Sequence, residues 1–347
     1  MKMNELKTFR PPFPIDASSD SGKTVLVAGG AGFIGSNLCH RLIAQGDRVI
    51  CLDNMETGRF ENLTSLLPRQ NFAFILHDIV VPFELDGKVD RIYNLACPGS
   101  PPKYQRNPIH TFKTSILGGI NLLELAERKS ARILLSSTSE VYGDPDVSPQ
   151  SELYRGLVNT IGPRACYDEG KRGAETLFHE MHEREGVDTR IARIFNTYGP
   201  RMDLEDGRVV SNFILQACTG TDLTVYGDGR QTRSFCYIDD MLDGLIKLME
   251  TEDQFGSIDD PVNLGNPEEC TMLELAKIIL EMTSSPSKLV YCELPVDDPR
   301  QRCPDITRAK ALLGWSPQFP MREGLAPTIA YFRHELDLQQ HVAENVG

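Results

Sequence analysis

Residues 23–54 read KTVLVAGGAGFIGSNLCHRLIAQGDRVICLDN. An apolar strand runs into a glycine turn, then into apolar residues at helical spacing, then into a second apolar strand ending on Asp53. The turn GGAGFIG (29–35) fits G-x-x-G-x-x-G on Gly29, Gly32 and Gly35, or G-x-G-x-x-G counted from Gly30. Either way a strand precedes it and a helix follows, which is the context the motif requires. Glycine lets backbone turn tightly against a pyrophosphate, and the helix N-terminus behind the turn favours the negative charge. A carboxylate at the end of the second strand accepts ribose hydroxyls and repels a 2′-phosphate, so Asp53 favours NAD over NADP.

The pattern recurs along the chain. Apolar strand candidates lie at 72–76, 90–95, 131–136 and 189–195, with helices predicted near 107–128 and 167–185. Alternation of this kind predicts an α/β fold with a doubly wound parallel sheet of Rossmann type. After Asn196 turn-rich segments alternate with short helices near 209–219, 239–250 and 271–283. We therefore read 1–22 as a disordered leader or arm and 23–196 as the dinucleotide-binding domain. Elements near 236–265 return to that domain, 197–235 and 266–335 form a smaller α/β lobe over the sheet's carboxyl edge, and 336–347 is a flexible tail.

Composition narrows the partners. The chain of 347 residues carries a net charge of −13, which argues against nucleic acid and anionic membrane surfaces. No run of about 18 apolar residues exists, and the N-terminus has no apolar signal core. The nine cysteines are scattered without a C-x-x-C pair, as expected of free thiols in a reducing, cytoplasmic setting. His179 and His182 stand at i and i+3 without a third ligand nearby, so no metal site is expected. A negative chain that binds an anion needs a local basic cluster, and Arg201, Arg208, Arg230, Arg233, Arg300 and Arg302 all fall in the turn-rich segments.

CYDEGKR (166–172) places Tyr167 and Lys171 on one helix face. The preceding strand ends in SSTSEVYGDP (136–145), offering Ser137 or Thr138 as a hydroxyl partner and presenting Glu140. A phenol of pKa near 10 acts as a base at neutral pH only if nearby positive charge favours the phenolate. Lys171 and a nicotinamide ring would supply that charge. Such a base is worth about 10²–10⁴ in rate.

Together GGAGFIGSNL, STSEVYGDP, YDEGKR, RIFNTYGPRM, VYGDGRQTRSF and NLGNP resemble the extended short-chain dehydrogenase/reductase family, over residues 24 to about 333. The resemblance implies NAD as cofactor, a nucleotide-sugar substrate bound between two lobes, and a homodimer formed through helices flanking the sheet. It assigns Gly29, Gly32, Phe33, Ile34, Gly35, Asp53, Asn54, Asp78, Ile79, Leu95, Ala96, Tyr167 and Lys171 to the cofactor. Family 4-epimerases carry small residues where this chain has Ser139–Glu140, and 4,6-dehydratases carry an Asp-Glu pair. With DDPRQRCPDITRAK (297–310), the pattern here looks most like the branch that decarboxylates UDP-glucuronate to UDP-xylose.

That branch implies oxidation at C4 of the sugar, loss of the C6 carboxylate as CO₂, protonation at C5 and reduction back. The catalytic set is then Tyr167, Lys171, Thr138 or Ser137, Glu140 and Arg302, with Glu140 acting beside a water at C5. Glu140 would also face the leaving carboxylate, where two like charges about 4 Å apart cost about 4 kcal/mol at an effective dielectric near 20. Substrate contacts are expected from Tyr104, Glu140, Asn196, Arg201, Arg208, Tyr226, Arg233 and Arg302, whereas Arg230 and Arg300 read as solvated. The rival readings are a UDP-uronate 4-epimerase, a 4,6-dehydratase, and an NAD-dependent binding module without turnover.

Overall fold

The computed structural model describes residues 7–11, 22–252, 260–293 and 301–346, with side chains to residue 341. Seven strands form the central sheet: β1 (Thr24–Ala28), β2 (Arg48–Asp53), β3 (Phe72–Leu76), β4 (Arg91–Asn94), β5 (Arg132–Thr138), β6 (Thr189–Ile194) and β7 (Val262–Leu264). Their spatial order is β7-β6-β5-β4-β1-β2-β3, and the pairings from β3 through to β6 are parallel. This is the doubly wound α/β sheet expected from the sequence. Every residue of β1 is buried, because helices cover both faces of a parallel sheet and leave no polar side.

The chain goes outward from β1 to β3 and then crosses to the other side of β1 to lay down β4. The crevice where this reversal occurs lies at the carboxyl ends of β1 and β4, the standard ligand position in such sheets. Three further helices matter there: α1 (Phe33–Ala44), α2 (Pro108–Lys113) and α3 (Gly119–Lys129), the last two joined by a π-helical turn at Thr114–Gly118. The fourth, α4 (Ala165–Glu185), buries Tyr167, Asp168, Gly170, Lys171, Ala174 and Phe178, an i, i+3, i+4 stripe that turns Tyr167 and Lys171 inward. Gly170 lets α4 pack on the π turn, since an added Cβ would stand 3.1 Å from Ser115 Oγ. Gly186 ends the helix in left-handed conformation.

The chain divides into two compact units, one comprising 1–141, 158–194 and 245–262, the other 142–157, 195–244 and 263–347. In the first, the apolar faces of β1, β2, β4 and β5 meet Leu122, Leu123, Ala126, Ala174 and Phe178 in one core. The returning segment is held by arginines. Arg132 donates to the carbonyls of Met249 (2.8 Å) and Thr251 (3.2 Å), and Arg190 to that of Thr251 (3.0 Å). These contacts satisfy carbonyls that a helix end leaves without partners.

Three boundary expectations are corrected. Lys7–Phe9, placed in the disordered leader or arm, is a strand paired parallel with Phe83–Leu85, because Phe9 stacks edge-on against His77 and Phe83. The supposed flexible tail is helical, the last helix running from Met321 to Val346. Residues 142–157, read as part of the dinucleotide domain, belong to the second unit. There Gln150 accepts from the Cys303 N–H through its side chain (2.9 Å) and from the Asp305 N–H through its carbonyl (2.8 Å). Asn263 Nδ2 donates to the carbonyls of Gln150 and Asp305. Residues 1–6 and 12–21, and Arg300, lie outside the described residues.

Candidate active site

The glycine turn is tight enough that side chains are excluded. Gly29 has φ +79°, and a Cβ there would lie 2.7 Å from the Leu95 carbonyl and 2.8 Å from Ala96 Cα. At Gly35 it would lie 2.1 Å from the Gly29 oxygen. Gly32 is the N-cap of α1, with no side-chain cap and no acidic residue in the first turn. Phe33 and Ile34 therefore open a helix whose first N–H groups are left for an anion. The sequence-predicted Gly29, Gly32, Phe33, Ile34, Gly35, Leu95 and Ala96 come together in this crevice.

Asp53 ends β2, buried, and its two oxygens accept from the Ala31 N–H (2.9 Å) and the Met55 N–H (2.8 Å). Burial pushes its carboxyl up from the ordinary value, with the two N–H bonds working against that shift. Asn54 Nδ2 points to Asp78 Oδ2 at 3.4 Å. Asp78 also accepts from the Val80 N–H (2.9 Å) and meets His110 Nε2 at 2.7 Å. Burial works to raise the Asp78 carboxyl, but these bonds hold it below the ordinary value. Ile79 is buried beneath Gly118. A glycine turn closed to a Cβ at Gly29 and Gly35, an uncapped helix start and a carboxylate at the β2 terminus fit a dinucleotide.

Tyr167, Lys171, Thr138 and Glu140, four of the residues read as catalytic, come together one strand further along, at the end of β5. Lys171 Nζ donates to the Ser136 carbonyl at 2.8 Å and lies 5.9 Å from the Tyr167 ring centroid. Thr138, at the end of β5, accepts the Glu140 N–H on its hydroxyl oxygen at 3.2 Å, and its hydroxyl donates to Tyr167. Burial pushes the Tyr167 phenol far up, and the Thr138 bond draws it down. Burial also pulls the Lys171 ammonium down, with Cys97 and Glu175 acting the other way. Burial therefore makes the phenolate costly, and a cationic ring beside it would lower that cost.

Of the two hydroxyls left open by the sequence, Thr138 serves Tyr167. Ser137 does not, because it meets α4 two turns further along, at Glu175. It donates to that carboxylate, which Arg193 grips with two bonds of 2.9 and 2.7 Å. Tyr104 is buried, its ring parallel to that of Tyr167 (centroids 5.0 Å, 3° between planes). Its Oη has no hydrogen-bond partner among the described residues. An orphaned buried hydroxyl is costly unless a ligand or water meets it.

Glu140 lies on the single 3₁₀ turn Ser139–Tyr142 that follows β5. The structure pairs Glu140 with Arg164, both side chains largely shielded at 19% and 15% exposure. The repulsion assigned to Glu140 against a second carboxylate is thus offset by a guanidinium. Sequence reasoning missed Arg164, Glu175 and Arg193. Glu175 was legible as the next member of the Tyr167, Lys171 stripe at i+4; Arg164, three residues ahead of Tyr167, needed the fold of 142–163 to be known.

The remaining candidates belong to the second unit. Arg208 is the N-cap of the helix Val209–Thr219 and binds Asp206 through Nε (2.5 Å) and Nη2 (3.2 Å). Arg233 donates to the Thr232 carbonyl (2.8 Å). Arg201 has φ +67° and a guanidinium whose pKa burial lowers. The Asn196 carbonyl accepts the Cys236 N–H (2.8 Å). Tyr226 is exposed on the strand Leu223–Tyr226, and Arg302 is buried, its carbonyl accepting from Ser234 Oγ (3.2 Å).

Known proteins agree with this geometry. The family model described as GDP-mannose 4,6 dehydratase matches residues 26–328. A UDP-glucuronic acid decarboxylase 3 of Arabidopsis thaliana is 50% identical over 343 residues, covering 98% of each chain. UDP-glucuronic acid decarboxylase 1 of Xenopus tropicalis is 51% identical over 329 residues, covering 95% of this chain and 76% of that one. Among solved structures, UDP-glucuronic acid 4-epimerase from Bacillus cereus, in complex with UDP-glucuronic acid and NAD, superposes with a TM-score of 0.78. It is 27% identical and covers 90% of this chain and 99% of that one. With a family model spanning 26–328 and curated relatives at 50% identity along nearly the full length, this chain belongs to the GDP-mannose 4,6 dehydratase family, alongside proteins named UDP-glucuronic acid decarboxylase.

Proposed function

We propose that this chain decarboxylates UDP-glucuronate to UDP-xylose with NAD held through the cycle. The observation that carries the reading is Glu140, fixed beside the Thr138–Tyr167 pair with a serine, Ser139, where an acid would serve a dehydratase. Relatives of about half identity carry the same activity in their names.

The crevice between Gly29 and Ala96 holds the dinucleotide, with Phe33 and Ile34 at its pyrophosphate, Asp53 and Asn54 at the adenosine ribose, and Asp78 and Ile79 beyond. When bound, NAD takes the C4 hydride of the sugar and later returns it. Tyr167 removes the O4 proton, its phenolate favoured by the hydrogen bond from Thr138. Lys171, fixed by the Ser136 carbonyl, holds its charge over the same ring. The C6 carboxylate is then β to a C4 ketone. The C5–C6 bond breaks, CO₂ leaves, and the electron pair enters an enolate on O4 that Tyr167 and Thr138 stabilise as donors. A water beside Glu140 gives a proton to C5, its hydroxide is reprotonated from solvent, the C4 carbonyl reforms, and Tyr167 gives its proton back to O4 as the hydride returns to C4. Tyr104 Oη meets the uronate carboxylate, and Arg302 is the second group assigned to it. Arg208, Arg233 and Arg201 serve the diphosphate, whose oxygens suit the guanidinium fork, with Asn196 and Tyr226 towards the diphosphate and the uracil.

Incubation with UDP-glucuronate, with CO₂ trapping and mass spectrometry of the nucleotide, tests the reading. CO₂ and a pentose nucleotide are expected. The second reading, a UDP-uronate 4-epimerase, rests on the Bacillus cereus neighbour; it predicts a product of unchanged mass and no CO₂.

The unit is proposed to act as a homodimer. Ile109, Phe112 and Leu117 stand exposed on the α2 side, an apolar surface of the kind that marks an interface. Sedimentation velocity should give twice the monomer mass, with Phe112→Glu shifting it to monomer. Among the described residues no helix is long and apolar enough to cross a membrane. All nine cysteines are free thiols, which supports a cytoplasmic place of work, to be read by cell fractionation.

A further inference from the structure

Arg164 stands at a junction. Its side chain binds Glu140, while its backbone carbonyl accepts the N–H groups of Tyr167 (3.0 Å) and Asp168 (3.1 Å) as the N-cap residue of α4. One residue thus touches the carboxylate assigned to C5 and starts the turn that carries the base for O4. Tyr104 feels both members of the pair, Arg164 drawing its phenol down and Glu140 pushing it up, against a larger upward push from burial. The guanidinium, the carboxylate and the two stacked phenols form one compact constellation, and nothing in the reaction so far has used the guanidinium.

A carboxylate shielded from water beside aromatic rings is costly unless it is paired. The 3₁₀ turn that carries Glu140 is four residues long, and such turns are the less rigid kind of helix. Removing Arg164 takes away the ion pair that holds Glu140 on this turn. We infer that Arg164 is a positioning residue for C5 protonation: its ion pair holds Glu140 in place, and it ties that placement to Tyr167 through the start of α4. The inference rests on the decarboxylase reading and adds to it a group that acts through Glu140 and never on the sugar.

A double-mutant cycle on the full chain tests it. Arg164→Gln should lower kcat by up to about 10²-fold, the scale of a small misplacement, with KM for UDP-glucuronate and the affinity for UDP-xylose unchanged. Arg164→Lys restores the charge without the fork and should recover part of the loss. Glu140→Gln combined with Arg164→Gln should be no worse than Glu140→Gln alone, because the two act as one unit. In deuterated water the stereospecific label at C5 should become mixed in Arg164→Gln. Multiplying losses in the double variant, or an unmoved kcat in Arg164→Gln, would overturn the inference. So would a raised KM for UDP-glucuronate with unchanged UDP-xylose affinity, since Arg164 would then hold the substrate carboxylate itself. Should Arg164→Gln fail to fold, the same cycle is run with Arg164→Lys. Failure of the decarboxylase reading looks different, for the unmutated chain would then release no CO₂.

Discussion

Tyr167→Phe is expected to lower kcat on UDP-glucuronate by about 10²–10⁴-fold, or about 3–5 kcal/mol of barrier, with KM almost unchanged. The substitution removes one oxygen and nothing else. The ring keeps its buried place and its stack on Tyr104, at 5.0 Å between centroids, so the fold has no reason to shift. What disappears is the acceptor for the O4 proton and the hydroxyl that Thr138 bonds. The sign of the pH dependence follows. A base works when deprotonated, so kcat/KM of the unmutated enzyme falls as pH drops through the pKa of Tyr167. Burial raises that pKa in the bare protein and the Thr138 bond works against the rise; on the proposed reading the cationic ring of bound NAD would lower it further. The variant should lack that limb and show a flat, low profile. A CO₂-release assay across a pH series, run at limiting and at saturating substrate, reads both effects. Retention of more than about a tenth of the turnover would mean that another group takes the proton.

Much of this was legible because short-range rules fixed it. The glycine spacing at 29–35, the apolar runs and the i, i+4 relation of Tyr167 to Lys171 are local, and local patterns survive folding. Strand and helix limits fell within a few residues for the same reason, as with Val209–Thr219 and Met272–Thr283. Three things could not be read this way. The choice between Ser137 and Thr138 depends on which residue of α4 each hydroxyl meets, Glu175 for the one and Tyr167 for the other, and that is set by how the helix lies on the end of β5. The partner of Glu140 lies 24 residues on, across a segment with no periodic signal. The order at Lys7–Phe9 comes from a distant strand at Phe83–Leu85 that offers an edge, and composition alone gives a proline-rich start no claim to structure. In each case the deciding contact was long-range, and a single sequence carries no direct record of it.

The same logic makes the glycine turn the place where one methyl group does most damage to cofactor binding. At Gly35 an added Cβ would meet the Gly29 oxygen at 2.1 Å, Gly30 Cα at 2.8 Å and the Gly29 carbonyl carbon at 2.9 Å. All three are backbone atoms of the turn itself, so no side chain can swing aside. The start of α1 must lift from the turn, and with it the N–H groups of Phe33 and Ile34 leave the position assigned to the pyrophosphate. Overpacking of this kind costs about 1–3 kcal/mol when neighbours can adjust, and here they cannot. Gly35→Ala should therefore purify without nicotinamide nucleotide, lose turnover, and melt well below the unmutated protein. Gly32→Ala is the internal control, because its Cβ would stand 3.3 Å from the same oxygen, a contact that a shift of a few tenths of an ångström relieves. The measurement is nucleotide released by acid from equal amounts of the purified variants, with a thermal melt alongside. If Gly35→Ala holds as much NAD as the unmutated chain, α1 does not press on the turn as tightly as 2.1 Å requires, and the cradle argument for the dinucleotide falls with it.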